Sequence, residues 1–276
     1  MKPPSQSRIV VCGIVRDSED VIVHELQTIL SALNIFKEVF VIVVESESTD
    51  STLVRLNSIA RNEKRLIVEH IEHSGTNSHF RSVRVAEARN RTLQILNSEF
   101  SKIDYIYVID LDGINRDLTA DGVMSCFKYG NWTMMSSNQP KGYYDILALR
   151  QEFWCNYDYG TAFLELKKYF SEDLARYISL DSQSLKIPIS NPIIPVQSAF
   201  GGGAIYVADA LKDKLYLGVD SFGRQICEHL NVNLAINQEL GNMFINPALV
   251  NIRHLGRSQS KMKRVSKKVI NLLMEL

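Results

Sequence analysis

The chain lacks a dominant charge. Lysine and arginine number 31 and aspartate and glutamate 31, so the formal net charge is zero. No global field then favours nucleic acid as the main partner. Cysteine is sparse: Cys12, Cys126, Cys155 and Cys227 lie far apart, with no Cys-x-x-Cys pair. Buried free thiols in a reducing compartment are expected, not a disulfide scaffold or a zinc site. No stretch approaches the roughly 18 consecutive apolar residues of a membrane span. The first apolar run, residues 9–15, is short and meets Arg16-Asp17 at once, which does not suit a signal peptide. A cytoplasmic enzyme-sized protein is expected. There is no internal repeat and no low-complexity linker, and no Gly-x-Gly-x-x-Gly follows a strand, which weakens any dinucleotide oxidoreductase reading.

What is present is an ordinary globular composition, 45% hydrophobic and 22% charged over 276 residues, enough for a large core in one or two domains. The first half alternates. Apolar runs at 8–15, 39–44, 65–69 and 105–109 read as strands, several rich in β-branched residues. Residues 19–33, a segment capped from Ser48 or Asp50 to about Arg61, and 82–96 read as helices. Such alternation predicts an α/β fold with a mostly parallel central sheet flanked by helices. The second half is less regular. Short strands are expected at 131–136, 145–149 and 248–252, and a strand interrupted by glycines within 196–208. A helix is expected over 164–180, a Pro-punctuated loop at 191–195, and mixed loop and strand over 217–242. The tail 257–276 is basic and amphipathic, with Lys261, Lys263, Arg264, Lys267 and Lys268 ahead of 269–274. It reads as a packed helix with a solvated basic face or as a peripheral membrane contact.

The most informative feature is Asp110-Leu111-Asp112-Gly113, directly after the strand at 105–109. Two carboxylates one residue apart stand where a strand runs out into a loop, the edge at which open α/β sheets bind ligands. Their mutual repulsion is relieved by a hard divalent cation, for which oxygen ligands suit Mg²⁺ or Mn²⁺. A metal held by one or two carboxylates keeps positions free for phosphates, so a metal–diphosphate site is expected. Other candidates surround it. Glu45 closes the second strand and is placed to accept hydrogen bonds from a base or ribose, or merely precedes a helix cap at Ser48 or Asp50. One of Arg81, Arg84 and Arg89 suits a diphosphate through its guanidinium fork. Gly201-Gly202-Gly203 within a strand pattern points to close backbone approach by a ligand, or to a bulge. Glu228 and His229 are candidates for proton transfer or for ion pairing. His254 offers a nitrogen ligand to the same metal.

The order of these pieces resembles a glycosyltransferase of the GT-A fold. The resemblance runs from about residue 8 to 256. It rests on the acidic residue after the second strand, Ala86-Glu-Ala-Arg89-Asn90 before the Asp-x-Asp strand, Gly201-Gly202, Glu228, and Pro247 followed by His254. Residues 144–150 and 227–229 most resemble capsule-associated mannosyltransferase-like proteins. The resemblance implies one GT-A domain over 1–256, with a nucleotide-sugar-binding half at about 8–115 and an acceptor half at 116–256. It implies a UDP- or GDP-sugar donor, Mn²⁺ or Mg²⁺, and a glycan acceptor. Asp110 and Asp112 would bind the metal and ribose–diphosphate, with His254 as a further metal ligand or phosphate contact. Glu45 would contact the nucleoside and Gly201 to Gly203 would line the sugar or acceptor site. Glu228 matches the general-base position, with Asp145 in reserve, because Glu-His stands where many members have Glu-Asp or Asp-Asp. The rivals are a HAD-type phosphatase, whose signature is also Asp-Leu-Asp-Gly but after a first strand, and a nucleotidyltransferase, whose Gly-rich phosphate loop is missing. A non-catalytic nucleotide- or carbohydrate-binding module on the same fold is the non-enzyme alternative.

Overall fold

The computed structural model describes residues 1–74 and 79–252. The alternating first half folds as β1 (Arg8–Val15), α1 (Ile22–Ala32), β2 (Glu38–Ser46), α2 (Thr52–Ala60), β3 (Leu66–Ile71), α3 (Arg81–Glu99) and β4 (Tyr105–Asp110). There follow α4 (Ala120–Cys126), β5 (Met134–Asn138), α5 (Tyr159–Leu166), α6 (Glu172–Ser179), β6 (Ile194–Pro195), β7 (Gly203–Val207), α7 (Glu228–Glu239) and β8 (Met243–Val250). All eight strands form one sheet in the order β3-β2-β1-β4-β7-β5-β8-β6. The strands β3, β2, β1 and β4 are parallel neighbours. The change to antiparallel pairing comes between β4 and β7.

The β-branched runs form strands because both of their faces are covered. Successive side chains on a strand point to opposite sides. Val10, Cys12, Ile42, Val44, Ile106 and Val108 therefore join one core with Ala86, Leu93 and Leu96 of α3. Ile9, Val11, Val41, Val43, Tyr107 and Ile109 join the other with Ile22, Leu26 and Ile29 of α1 and Leu56 of α2. Cys12, Cys126 and Cys155 are free and buried in these cores, as expected, and Cys227 is free and partly buried.

The second half corrects several expectations. Residues 145–149 do not form a strand: 146–148 are a turn, closed by the Leu149 N–H donating to the Ile146 carbonyl at 3.3 Å. The expected helix over 164–180 is two helices. Asp158 caps α5 by accepting from Thr161 N, and Ser171 caps α6 by accepting from Leu174 N. Residues 217–242 contain α7, whose buried positions are His229, Val232, Asn233 and Ile236. That is helical spacing, but two of the four are polar, so the apolar pattern is hidden. The strand in 196–208 begins only at Gly203, because Gly201 and Gly202 turn the chain with φ of +67° and +78°. Helix α4, held by the Thr119 cap, was not anticipated.

Candidate active site

Strand β4 delivers Asp110, and a buried anchor sets the loop beyond it. Leu111 is fully buried, and its backbone N–H donates to the Ile14 carbonyl at 3.1 Å. Gly13 on β1 makes room for it: a Cβ there would stand 2.5 Å from Leu111 Cδ1. With Leu111 held inside, Asp112 is exposed. Glu25 of α1, 2% exposed, shapes the rest of the loop. It accepts from Gly113 N at 2.7 Å, Asn115 N at 3.0 Å and Asn115 Nδ2 at 2.7 Å. Burial pushes its carboxyl up to about 7, against the lowering effect of those hydrogen bonds. Asn115 Nδ2 also donates to the Asp110 carbonyl.

Behind Asp110 lies a buried arginine. Arg89 Nη2 donates to Asp110 Oδ1 at 2.6 Å, and Arg89 Nε donates to Glu228 Oε1 at 2.9 Å. Its side chain is 2% exposed. Burial alone would weaken its charge, but Asp110 and Glu228 more than compensate and hold the guanidinium ionised. The guanidinium also lies 4.8 Å over the Phe200 ring, a cation–π contact. His229 stacks on Phe200 with centroids 3.6 Å apart. Burial, then Arg89, pushes its pKa well below the ordinary value, so it is a neutral core ring and not a proton carrier. Asp145 accepts from Gly201 N at 3.0 Å. It keeps some solvent-accessible surface, yet it is hemmed in enough that desolvation, aided by Asp110 and Glu228, pushes its carboxyl up to about 7.

A cleft of about 330 Å³ opens at the ends of β1, β2 and β4 and the start of α3, lined among others by Arg16, Ser46, Arg81, Arg84, Asp110 and Asp112. The structure thus brings Asp110 and Asp112 to the cleft, with Arg89, Glu228 and Asp145 as their electrostatic surroundings. Arg89 is not among the lining residues. Glu45 is fully buried beside the cleft and is engaged by the protein: it accepts from Ser48 N at 2.6 Å and pairs with His70 Nδ1. The close approaches that Gly201 and Gly202 permit are to protein atoms. A Cβ on Gly201 would stand 2.5 Å from the Ser137 carbonyl oxygen, and one on Gly202 2.6 Å from Ile114 Cδ1. The Gly202 carbonyl accepts from Asp110 N, so these glycines brace the carboxylate loop. His254 and the basic tail lie outside the described residues.

Sequence reasoning missed Glu25 and Ser46. Glu25 carried a signal: it occupies a core position of α1 between Ile22 and Leu26, where an unexplained carboxylate asks for donors. Among the described residues no three His, Cys, Asp or Glu side chains cluster to hold a metal ion. The protein offers two carboxylates, one already sharing an oxygen with Arg89. That donor set fits a Mg²⁺ or Mn²⁺ whose remaining positions are filled by diphosphate oxygens and water.

No family model matches the chain, and no curated protein is similar to it in sequence. Solved structures are similar in fold. One is the mannosyltransferase PcManGT from Pyrobaculum calidifontis in complex with GDP-Man and Mn²⁺, at 14% identity and a TM-score of 0.50, covering 93% of this chain and 60% of that one. Another is S. aureus TarS 1-349 in complex with UDP-GlcNAc, at 15% identity and a TM-score of 0.50, covering 92% and 61%. The chain has the GT-A fold. It spans about 60% of the length of these two neighbours. Within the GT-A fold, the cleft occupies the rim at the carboxyl ends of the parallel strands, where the geometry above had placed it.

Proposed function

We propose that the chain is a glycosyltransferase that moves a sugar from a UDP- or GDP-sugar to a hydroxyl of a glycan acceptor, with Mn²⁺ or Mg²⁺. The observation that carries this is the placement of Asp110 and Asp112 at the rim of a cleft that also holds Arg81 and Arg84, on a GT-A sheet. The neighbours' bound GDP-Man with Mn²⁺ and UDP-GlcNAc support the donor class. The resemblance of 144–150 and 227–229 to capsule-associated mannosyltransferase-like proteins supports a mannosyl donor. A bound divalent ion supplies electrostatic stabilisation of the departing diphosphate. Asp110 and Asp112 would hold it, with His254 as a further metal ligand or phosphate contact. Arg89 fixes the Asp110 carboxylate in place, and Glu25 fixes the loop that presents Asp112. Glu45 acts as a buried brace beneath the nucleoside, and Gly201 and Gly202 brace the loop from the acceptor side.

The candidate bases are Glu228, at the position the resemblance implies, and Asp145 in reserve. Glu228 accepts from Arg89 Nε at 2.9 Å. Asp145 accepts from Gly201 N at 3.0 Å, with its carboxyl pushed up to about 7 by desolvation. The phosphatase reading loses its support, because the Asp-Leu-Asp-Gly loop follows the fourth strand. The test is Mn²⁺-dependent release of nucleoside diphosphate from UDP- and GDP-sugars. Asp112→Asn is expected to lower turnover at least about a hundredfold. Full metal-dependent turnover by that variant would refute the assignment.

A further inference from the structure

The helical stretch between β5 and β6 leaves much apolar surface uncovered. Sixteen large apolar side chains are exposed among the described residues, and eight of them fall between Leu147 and Ile189. Helix α5 is the extreme case. Tyr159, Ala162, Phe163, Leu164 and Leu166 make up five of its eight residues, yet none is buried. The flanking chain adds Phe153, 90% exposed, Tyr169, 77% exposed, and Phe170, Leu185 and Ile189. Apolar side chains exposed together in this way mark an interaction surface. The surface is also acidic. Residues 151–182 hold six carboxylates against three Lys or Arg. Among the described residues, Glu152 and Asp173 are exposed and make no ion pair.

The chain carries the counterpart of this surface. Residues 253–276 lie outside the described residues, and their sequence holds seven Lys or Arg and one Glu. Met262, Val265, Val269, Leu272 and Leu276 recur at steps of three and four, the spacing of one apolar stripe on a helix. The point of departure is fixed. Asn251 N donates to the Asn138 carbonyl at 2.9 Å, and Asn138 Nδ2 donates to the Ile187 carbonyl at 3.0 Å. The last described residues thus sit beside the segment that carries Leu185 and Ile189. The eight residues 253–260 span up to about 26 Å, more than the roughly 19 Å radius of gyration of a chain this long. Charge decides between occupants. A second copy would set acidic surface against acidic surface, and an anionic membrane would meet the same surplus, whereas the basic tail complements it.

We propose that residues 261–276 dock as a helix on the α5–α6 surface of the same chain. The apolar stripe covers Leu164 and its exposed neighbours, and the lysines reach Glu152 and Asp173. The connection 253–260 begins where Ile252 N donates to the Ile114 carbonyl at 2.8 Å, two residues beyond Asp112. Docking therefore ties the carboxylate loop to the helical stretch, a link that stands whatever reaction the cleft performs.

The test is amide hydrogen exchange on the full chain, joined to carbodiimide cross-linking of lysines to carboxylates. Val269→Asp/Leu272→Asp puts two charges on the stripe and alters no described residue. It is expected to speed exchange across α5 and α6 at least about tenfold, with α1 and α3 unchanged. Wild type is expected to form cross-links from the lysines at 261–268 to Glu152, Glu165 or Asp173. In a mixture of ¹⁵N-labelled and unlabelled protein these should join residues of one chain. Leu164→Asp, which changes the opposite side of the contact at an exposed position, is expected to weaken the same cross-links, with circular dichroism confirming the fold. Unchanged exchange in the double variant would overturn the proposal. So would cross-links between labelled and unlabelled chains, cross-links to the rim carboxylates instead, or protection of α5 that arises only on adding phosphatidylcholine or phosphatidylglycerol vesicles.

Discussion

Replacing Arg89 with methionine tests whether a single buried cation holds the site together. Methionine keeps most of the stem volume and a favourable sulfur contact with Phe200, so the perturbation is largely electrostatic. Two charge-assisted hydrogen bonds are lost, at 2.6 Å to Asp110 and 2.9 Å to Glu228. Both acceptors stay behind, with side-chain exposures of 30% and 13%. Breaking a buried pair by removing one partner typically costs 3–5 kcal/mol. The partial exposure of Asp110 lets water recover some of this, which places the expected loss near the lower end, at about 3 kcal/mol. For a domain of this size that is a fall in Tm of about 6–12 °C. Removing one stranded charge as well, in Arg89→Met/Glu228→Gln, should return about 1 kcal/mol through the coupling between the sites. Thermal and urea unfolding followed by circular dichroism would measure both. A single variant within about 0.5 kcal/mol of wild type, or a double variant whose effects simply add, would refute the bridging role.

Two further outcomes follow from the same surroundings. Gly201→Ala forces a Cβ into a φ of +67° and to 2.5 Å from the Ser137 carbonyl oxygen. It should cost more than about 2 kcal/mol in urea unfolding, whereas Gly130→Ala, with nothing within 4 Å of the added atom, should be within about 0.5 kcal/mol of wild type. Asp145 has an ordinary pKa of 3.8 and a folded value of about 7. The native state therefore keeps a proton that the unfolded chain has released. Its contribution to stability is complete below the unfolded value and is lost as pH rises through about 7, with a slope of at most about 1.4 kcal/mol per pH unit. Asp145→Asn should flatten the decline in stability between pH 5 and 7, measured as urea midpoints; an unchanged slope would contradict the burial argument.

The parallel half of the sheet was legible because its strands are continuous apolar runs and its helices have apolar stripes. The structure extends the strand read at 39–44 to Glu38–Ser46 and the one read at 65–69 to Leu66–Ile71, changes confined to element ends. The antiparallel half was not, because polar side chains occupy its core. His229 and Asn233 sit where a helix pattern would ask for leucine, with Asn233 Oδ1 accepting from Tyr206 Oη at 2.8 Å. The rim carboxylates were visible from their place after a strand. What holds them was not: Glu25 meets Asn115 across 90 positions and Arg89 meets Glu228 across 139. Ser46, His73 and Glu87 likewise come within hydrogen-bonding distance only once β2, the segment after β3 and α3 are packed. Local spacing carries no record of such meetings, although a charged residue on an otherwise apolar helix face, such as Glu25 or Arg89, marks where one must occur.

Pairing between β4 and β7 joins the strand that carries Asp110 to one that the chain makes almost a hundred residues later. During synthesis, the segment ending near Gly113 emerges with β4 as a raw margin, its outward amides and carbonyls unmatched until Gly203–Val207 arrives. Such a margin invites association with other chains. A fragment truncated there should be sticky and poorly folded, and the nascent protein has reason to meet a chaperone before its last strands are made.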